Sequence, residues 1–368
     1  MNELNPVHLE MFRYTKLVEP LCPYFGTCGG CAYQHLPYEE ELALKENQLK
    51  NLLKELELPN EIFSPIAPSP EPYFYRSRLD LSFRRTRQGF ILGFMSEGTR
   101  RHISIDSCSI AKPEISNFLP RLRELASEKI PSQYRSANLV VKTGDEGVVR
   151  WGGMGRRSLR MNESEYFWTE IEGKKIFYSL DSFFQANLSI LPLLIKDLRE
   201  LLSLTPETYL LDLYAGVGLF WAVLASETRG VWAVEENRAS VRVAEFNRRY
   251  HGLSQVVLKE ARTEDCLEEI LQELEGRPIA AIVDPPRKGL TADALSKLSA
   301  AKMLNPLLYI SCNAEALVRD LEGFLRAGWR VDRVVPYDFF PRTKHLETVA
   351  RLLPPERNIS KCTGFKVD

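Results

Sequence analysis

The 368-residue sequence contains no apolar run approaching the ~18 residues that span a bilayer, so no membrane segment is expected. Residues 1–20 carry Glu3, Glu10 and Glu19 and no apolar core, so they do not read as a secretory signal; the expected compartment is the cytoplasm. Bulk charge of one sign is missing as well. With 48 basic and 49 acidic residues the net charge is −1, and the total alone points to no polyanionic partner. Repeats and low-complexity tracts are absent, which argues against solenoid, collagen-like and disordered classes. What is present, 44% apolar and 26% charged residues, is ordinary globular composition, and this length predicts two or three domains.

Charge is uneven where its total is not. Arg76, Arg78, Arg84, Arg85, Arg87, Arg100 and Arg101 face only Asp80 and Glu97 within the same stretch. Arg150, Arg156, Arg157 and Arg160 follow with no acid among them. Arginine suits phosphate contact and stacking on bases, although a solvated basic face has the same composition. Residues 263–275 (TEDCLEEILQELE) carry compensating acid and read as an exposed helix. The seven cysteines are also clustered: Cys22, Cys28 and Cys31 lie in CPYFGTCGGC, Cys108 follows alone, and Cys266, Cys312 and Cys362 are scattered. In a chain without a secretory signal, clustered cysteines read as metal ligands before disulfides.

Three segments follow from the patterning. Residues 1–60 hold the cysteine cluster and a predicted helix over 39–58, with Leu42, Leu49, Leu52, Leu53 and Leu56 near helical spacing. The proline-rich stretch 65–72 breaks it and reads as a stiff connector. Residues 61–182 alternate apolar and polar residues in short runs with one helix near 113–129, which predicts a β-rich domain carrying the arginines. From 183 to 368 strands alternate with helices (strands at 209–213, 230–235, 279–283, 307–310 and 330–335), which predicts a parallel, doubly wound sheet.

In that last segment DLYAGVGL (212–219) sits where a strand hands over to a helix, and glycines there let backbone approach a ligand. Glu235, nineteen residues after Gly216, ends the next strand, placed to accept hydrogen bonds from ribose hydroxyls. The dinucleotide fingerprint wants a third glycine where this chain has Trp221, which disfavours NAD; S-adenosylmethionine, lacking a pyrophosphate, does not need it. Asp284 in DPPRKG lies at the same sheet edge, held there by prolines that end strand pairing. Cys312 sits at the tip of the next strand beside Ser311 and Asn313, where catalytic groups collect, and Glu347 enters an apolar terminal strand, which is costly unless the carboxylate is paired or employed.

YRSRLDLSF (75–83), FFQAN (183–187), DLYAGVGLF (212–220), DPPRKG (284–289), YISCNAEALVRDL (309–321) and FPRTKHLETVARL (340–352) resemble, in order and spacing, the RNA uracil-C5 methyltransferases over nearly the whole chain. CPYFGTCGGC with Cys108 looks like the [4Fe-4S] set of the family's ribosomal-RNA members, without the N-terminal OB-like domain that some members carry; four thiolates also suit zinc, for which the five-residue gap is unusual. The resemblance implies a Rossmann-like α/β methyltransferase domain beside the β-rich one, with the iron–sulfur segment at the N-terminus. It implies Cys312 as nucleophile and Glu347 as base, and Gln185, Tyr214, Gly216, Glu235 and Asp284 around S-adenosylmethionine or the uracil edge. Cys22, Cys28, Cys31 and Cys108 become cluster ligands, and Arg76 and Phe183 RNA contacts, against a surface arginine and a core phenylalanine as the plain alternatives. RNA, 23S rRNA above tRNA, is the implied partner, and no obligate protein partner is inferred. A catalytically silent RNA-binding module and a cytosine-C5 enzyme are the competing readings. Ala215, Ala314 and Arg342 depart from the family's usual cysteine, proline and glutamine, and Arg342 is expected to bear on RNA preference.

Overall fold

The computed structural model describes residues 17–356, except 97, 100, 154 and 155. Arg100 and Cys362, noted above, therefore lie outside the described residues. Among the described residues no helix is long and apolar enough to cross a membrane.

The chain leaves the cysteine loop into helix α1 (Tyr38–Leu53), and after one tighter turn left-handed Glu57 (φ 50°) ends it, short of the expected Leu58. Its buried residues, Glu41, Lys45, Leu49 and Leu53, recur every four positions and form one stripe. The leucine pattern points elsewhere: Leu52 is exposed, and two charged residues take the inner face because their partners arrive from the far end of the chain.

Strands β1 (Arg78–Thr86), β2 (Gly89–Met95) and β3 (His102–Ser104), helix α2 (Pro113–Lys129), and strands β4 (Ser136–Lys142) and β5 (Arg150–Gly152) follow. They build an antiparallel sheet in the order β3-β2-β1-β4-β5. Alternation along β1 sorts its residues by face. Leu79, Leu81 and Phe83 pack with Ile115, Leu119 and Leu122 of α2, while Asp80 and Arg84 remain exposed on the other side. A separate hairpin, β6 (Phe167–Ile171) and β7 (Lys174–Tyr178), puts Phe167, Ile176 and Tyr178 into the core of the following layers.

Those layers comprise α3 (Leu191–Leu202), β8 (Tyr209–Leu213), α4 (Leu219–Leu224), β9 (Gly230–Glu235), α5 (Arg238–Tyr250), β10 (Val256–Glu260), α6 (Thr263–Glu273), β11 (Ile279–Val283), α7 (Ala292–Ala300), β12 (Leu304–Ser311), α8 (Ala314–Arg326), β13 (Arg330–Tyr337) and β14 (Glu347–Leu353). The sheet order is β10-β9-β8-β11-β12-β14-β13, parallel except for β14, which runs antiparallel to both its neighbours. Continuous apolar runs such as Ile279–Val283 are buried throughout, as strands covered on both faces must be. Strand order reverses between β8 and β11, so a crevice opens at their carboxyl ends. Helix α6 differs from expectation: Cys266, Leu267 and Ile270 are buried, so only one face of this acidic helix meets water. The proline connector pairs in parallel with the sheet's outer strand, Phe63 beside Val334 and Ala67 beside Tyr337, and so covers an otherwise open edge.

Candidate active site

The turn after β8 is tight. Tyr214, Gly216 and Gly218 have φ of 65°, 56° and 92°. A Cβ on Gly218 would lie 2.1 Å from the Trp221 ring, so the fully buried indole occupies the space beneath the turn that a third glycine leaves open in a dinucleotide site. Glu235, at the end of β9, accepts hydrogen bonds from the Gly216 N–H (2.8 Å) and the Asn237 N–H (2.7 Å). Burial pushes its carboxyl up, and these bonds oppose that. Tyr214, Glu235, Thr263 and Pro286 line a cavity of about 120 Å³ at this edge, open to a small polar ligand.

Two strands over, β12 pairs with β14 as far as Ser311 and Thr348, and β14 pairs with β13 as far as Glu347 and Tyr337. Cys312 and Glu347, the next residues in that register, stand opposite each other. Glu347 is only 3% exposed and its Oε1 has no hydrogen-bond partner. Burial and then the Asp284 carboxylate hold its pKa well above the usual range, opposed by the Arg287 guanidinium. Burial, then Glu347 and Asp284, push the Cys312 thiol up to about 11, and Arg287 opposes through its charge and a hydrogen bond. Asp284, whose N–H donates to Leu213 O (3.3 Å), is pushed up to about 7 by burial and by Glu235. A thiol and acids thus gather at one crevice, with Arg287 opposing the upward shifts of Cys312 and Glu347. Any cation entering it would favour the ionised forms.

The loop carrying Arg287 is clamped from α8. Asn313 Nδ2 donates to Arg287 O (3.0 Å) and Arg319 Nη2 to Lys288 O (2.8 Å), while Asp320 Oδ2 accepts from the Leu290 N–H (2.8 Å) and the Tyr309 hydroxyl. The structure also brings Cys22, Cys28, Cys31 and Cys108 to the wall of one cavity of about 260 Å³, shared with Arg76, Arg287 and His345. Among the described residues no group of three or more Cys, His, Asp or Glu side chains is drawn together around a single-ion position. Burial and then Gln34's opposing amide set Cys31, whose thiol rises to about 12 with the three other thiols adding to it. The Gln34 amide is buried at the edge of this cavity and aims Nε2 at the thiols, where it lowers the Cys31 pKa.

Of the remaining candidates, Gln185 is 7% exposed with its carbonyl receiving Ser77 Oγ (3.4 Å), and Phe183 is 61% exposed while its neighbour Phe184 stacks on Tyr178. The exposure of Phe183 removes the core-residue alternative.

The family model for tRNA (uracil-5-)-methyltransferase matches residues 160–353, more than half of the chain. The chain belongs to that family. It is an S-adenosylmethionine-dependent RNA (uracil-5-)methyltransferase. Its relatives include the 23S rRNA (uracil(1939)-C(5))-methyltransferase RlmD of Marinomonas sp., 29% identical over 91% of this chain and 81% of that one. An uncharacterized RNA methyltransferase of Clostridium tetani is 28% identical, over 91% and 84%. The Pyrococcus abyssi tRNA (uracil-54, C5)-methyltransferase, solved with S-adenosyl-L-homocysteine, has a TM-score of 0.68 at 25% identity, covering 88% of this chain and 86% of its own.

Placed in this family, the structure adds residues that sequence reasoning did not select. Asp212 is fully buried just before the turn after β8, its Oδ2 accepting from the Trp221 N–H (3.3 Å) and its Oδ1 unpartnered, though an acid inside an apolar strand was a visible signal. Arg319 and Asp320 carried no such signal, because an Arg-Asp pair on a helix is ordinarily surface charge. Arg342, expected to bear on RNA preference, is 6% exposed and paired with Glu41.

Proposed function

We propose that this enzyme methylates C5 of a uridine in 23S rRNA, with Cys312 as nucleophile and Glu347 as base. The observation that carries the reading is the placement of thiol and carboxylate opposite each other beside the cofactor turn. Carbon 5 of uracil is too weak a nucleophile on its own. Cys312, its S–H proton lost to solvent, adds to C6 as the thiolate, moving the C5–C6 electrons toward O4 and making C5 an enolate carbon. When bound, S-adenosylmethionine supplies the electrophilic methyl group that C5 takes, the methyl–sulfur bond breaking as the new bond forms. Glu347 then accepts the C5 proton; the electrons restore the C5–C6 double bond and expel the Cys312 thiolate. A positive centre beside Asp284 and Glu347 favours their ionised forms, which is what a base requires.

Carbon 5 is out of reach within a helical stack, so the uridine is turned out into the cleft between the β-rich region (61–182) and the methyltransferase region (183–368). Arg76 and exposed Phe183, on the two sides, are suited to a phosphate and to a base. Gln185, Tyr214, Gly216, Glu235 and Asp284 are the proposed cofactor contacts. The cavity ringed by Cys22, Cys28, Cys31 and Cys108, with the buried Gln34 amide aimed at its thiols, fits a [4Fe-4S] cluster, which would tie residues 1–60 to the β-rich region through metal–thiolate bonds.

The likeness to the Marinomonas protein supports ribosomal RNA as target and the likeness to the Pyrococcus protein supports tRNA. Labelled methyl transfer to total RNA from a strain lacking this chain, followed by fractionation and base mapping, decides. Label in 5-methyluridine of 23S rRNA is expected; label confined to tRNA, or in cytosine, would overturn the target or the chemistry.

A further inference from the structure

The loop 338–346 joins β13 to β14, and the Tyr337–Glu347 pair closes both its ends, so whatever holds this loop also holds the strand end that bears Glu347. Its fastenings come from the N-terminal part of the chain. Asp338 accepts from Tyr38 Oη (2.9 Å) and Lys45 Nζ (2.7 Å), and its N–H donates to Ala67 O (2.9 Å). Lys45 Nζ also donates to Phe340 O (3.1 Å), and Tyr75 Oη to Pro341 O (3.0 Å).

Arg342 is the centre of this attachment. Its φ of 66° is left-handed, an uncommon setting for a long side chain, and bonds on both sides of the residue maintain it. The Arg342 N–H donates to Glu41 Oε1 (2.7 Å), and Arg342 O accepts from the Ala32 and Tyr33 N–H groups (2.7 and 3.1 Å), directly after Cys31. The guanidinium donates to Leu36 O (3.0 Å), lies 3.3 Å from Glu41 Oε2, and covers the Tyr73 ring at 4.6 Å. Glu41 and Asp338 against Lys45 and Arg342 make a buried quartet with no net charge. Glutamine, the usual residue of the family pattern at 342, would leave that quartet one positive charge short.

We propose that Arg342 and Glu41 form a buried latch that positions Glu347, fixing the 338–346 loop onto α1 and the cysteine segment. This rests on the reading of Glu347 as the base. The latch carries no step of the chemistry itself. It sets where the carboxylate stands relative to Cys312, and errors of about 1 Å in such placements cost on the order of 100-fold in rate.

The test uses two charge-balanced variants of the full chain, Arg342→Gln/Glu41→Gln and Glu41→Asp, the latter too short to reach the Arg342 N–H. Substrates are total RNA from a strain lacking this chain and labelled S-adenosylmethionine. Both variants are expected to remain folded at the assay temperature with wild-type cofactor affinity and KM for RNA, while kcat falls about tenfold or more and a protein–RNA adduct accumulates on denaturing gels. Wild-type kcat in either variant overturns the latch. So does a loss expressed only as a higher KM for RNA, which would make Arg342 an RNA contact. If Glu347→Gln turns over normally, the base assignment fails instead; if Glu347→Gln traps the adduct and neither latch variant does, the latch alone fails.

Discussion

Cys312 and Glu347 occupy facing positions one residue beyond the Ser311–Thr348 pair, on antiparallel strands at the carboxyl edge of an otherwise parallel sheet. The antiparallel turn of β14 makes this possible. A parallel strand there would bring its carboxyl end, not its first residue, to the crevice. Glu347 is the first residue of β14 and Cys312 directly follows the last residue of β12, so the paired strands end beside both groups.

Removing either group should stop turnover at a different stage. Cys312→Ala is expected to bind S-adenosylmethionine with unchanged affinity and to transfer no methyl group; appreciable turnover would exclude it as nucleophile. Glu347→Gln is expected to transfer the methyl and then stall, leaving a shifted protein–RNA band on a denaturing gel.

The Cys312 thiol, pushed up to about 11, is almost wholly protonated in the free enzyme at neutral pH. Only the thiolate reacts, so alkylation of Cys312 by iodoacetamide should accelerate about tenfold per pH unit between pH 7 and 10. Because Arg287 lowers this pKa, Arg287→Ala should slow the reaction at each pH in that range. Peptide mass mapping separates Cys312 from the other thiols. A rate independent of pH would mean that the thiol is already ionised.

Glu235 joins the Gly216 turn to β9 through two backbone N–H groups. Glu235→Gln retains a single oxygen for both and loses the charge. Bonds to charged groups contribute about 1.5–3 kcal/mol, so the Kd for S-adenosylmethionine should rise roughly 10- to 100-fold by calorimetry. An unchanged Kd would remove Glu235 from the cofactor site.

Protein purified without oxygen should be brown and hold about four irons per chain. Chelation or oxidation should bleach it and lower its unfolding midpoint, since in that reading metal–thiolate bonds would tie the cysteine loop to Cys108. Cys31→Ser should prevent assembly. A colourless protein with one zinc would replace the cluster by a four-thiolate zinc site.

Much of the fold was legible because its signals are local. Strands 209–213, 230–235 and 279–283 and the helix near 113–129 agree with the structure, since apolar runs, prolines and glycines mark their ends within the chain itself. The nucleotide turn and the strand-tip position of Cys312 were readable for the same reason. Helix α1 was not read correctly. Its inner face carries Glu41 and Lys45, which a pattern of apolar spacing assigns to water, and nothing near them in sequence names Asp338 or Arg342 as partners.

The amino-acid sequence by itself determined the α/β order of elements, the glycine turn after β8 and which side chains are chemically able to act, because these depend on residue type and on neighbours a few positions away. Only the tertiary structure decided that Cys312 faces Glu347, that four cysteines from two regions meet in one cavity with Arg76 and Arg287, and that Arg342 is a buried anchor rather than a surface contact. Each of those facts is a pairing between residues tens to hundreds of positions apart. Strand register and the need to neutralise buried charge fix such pairings, and neither is expressed until the chain has folded.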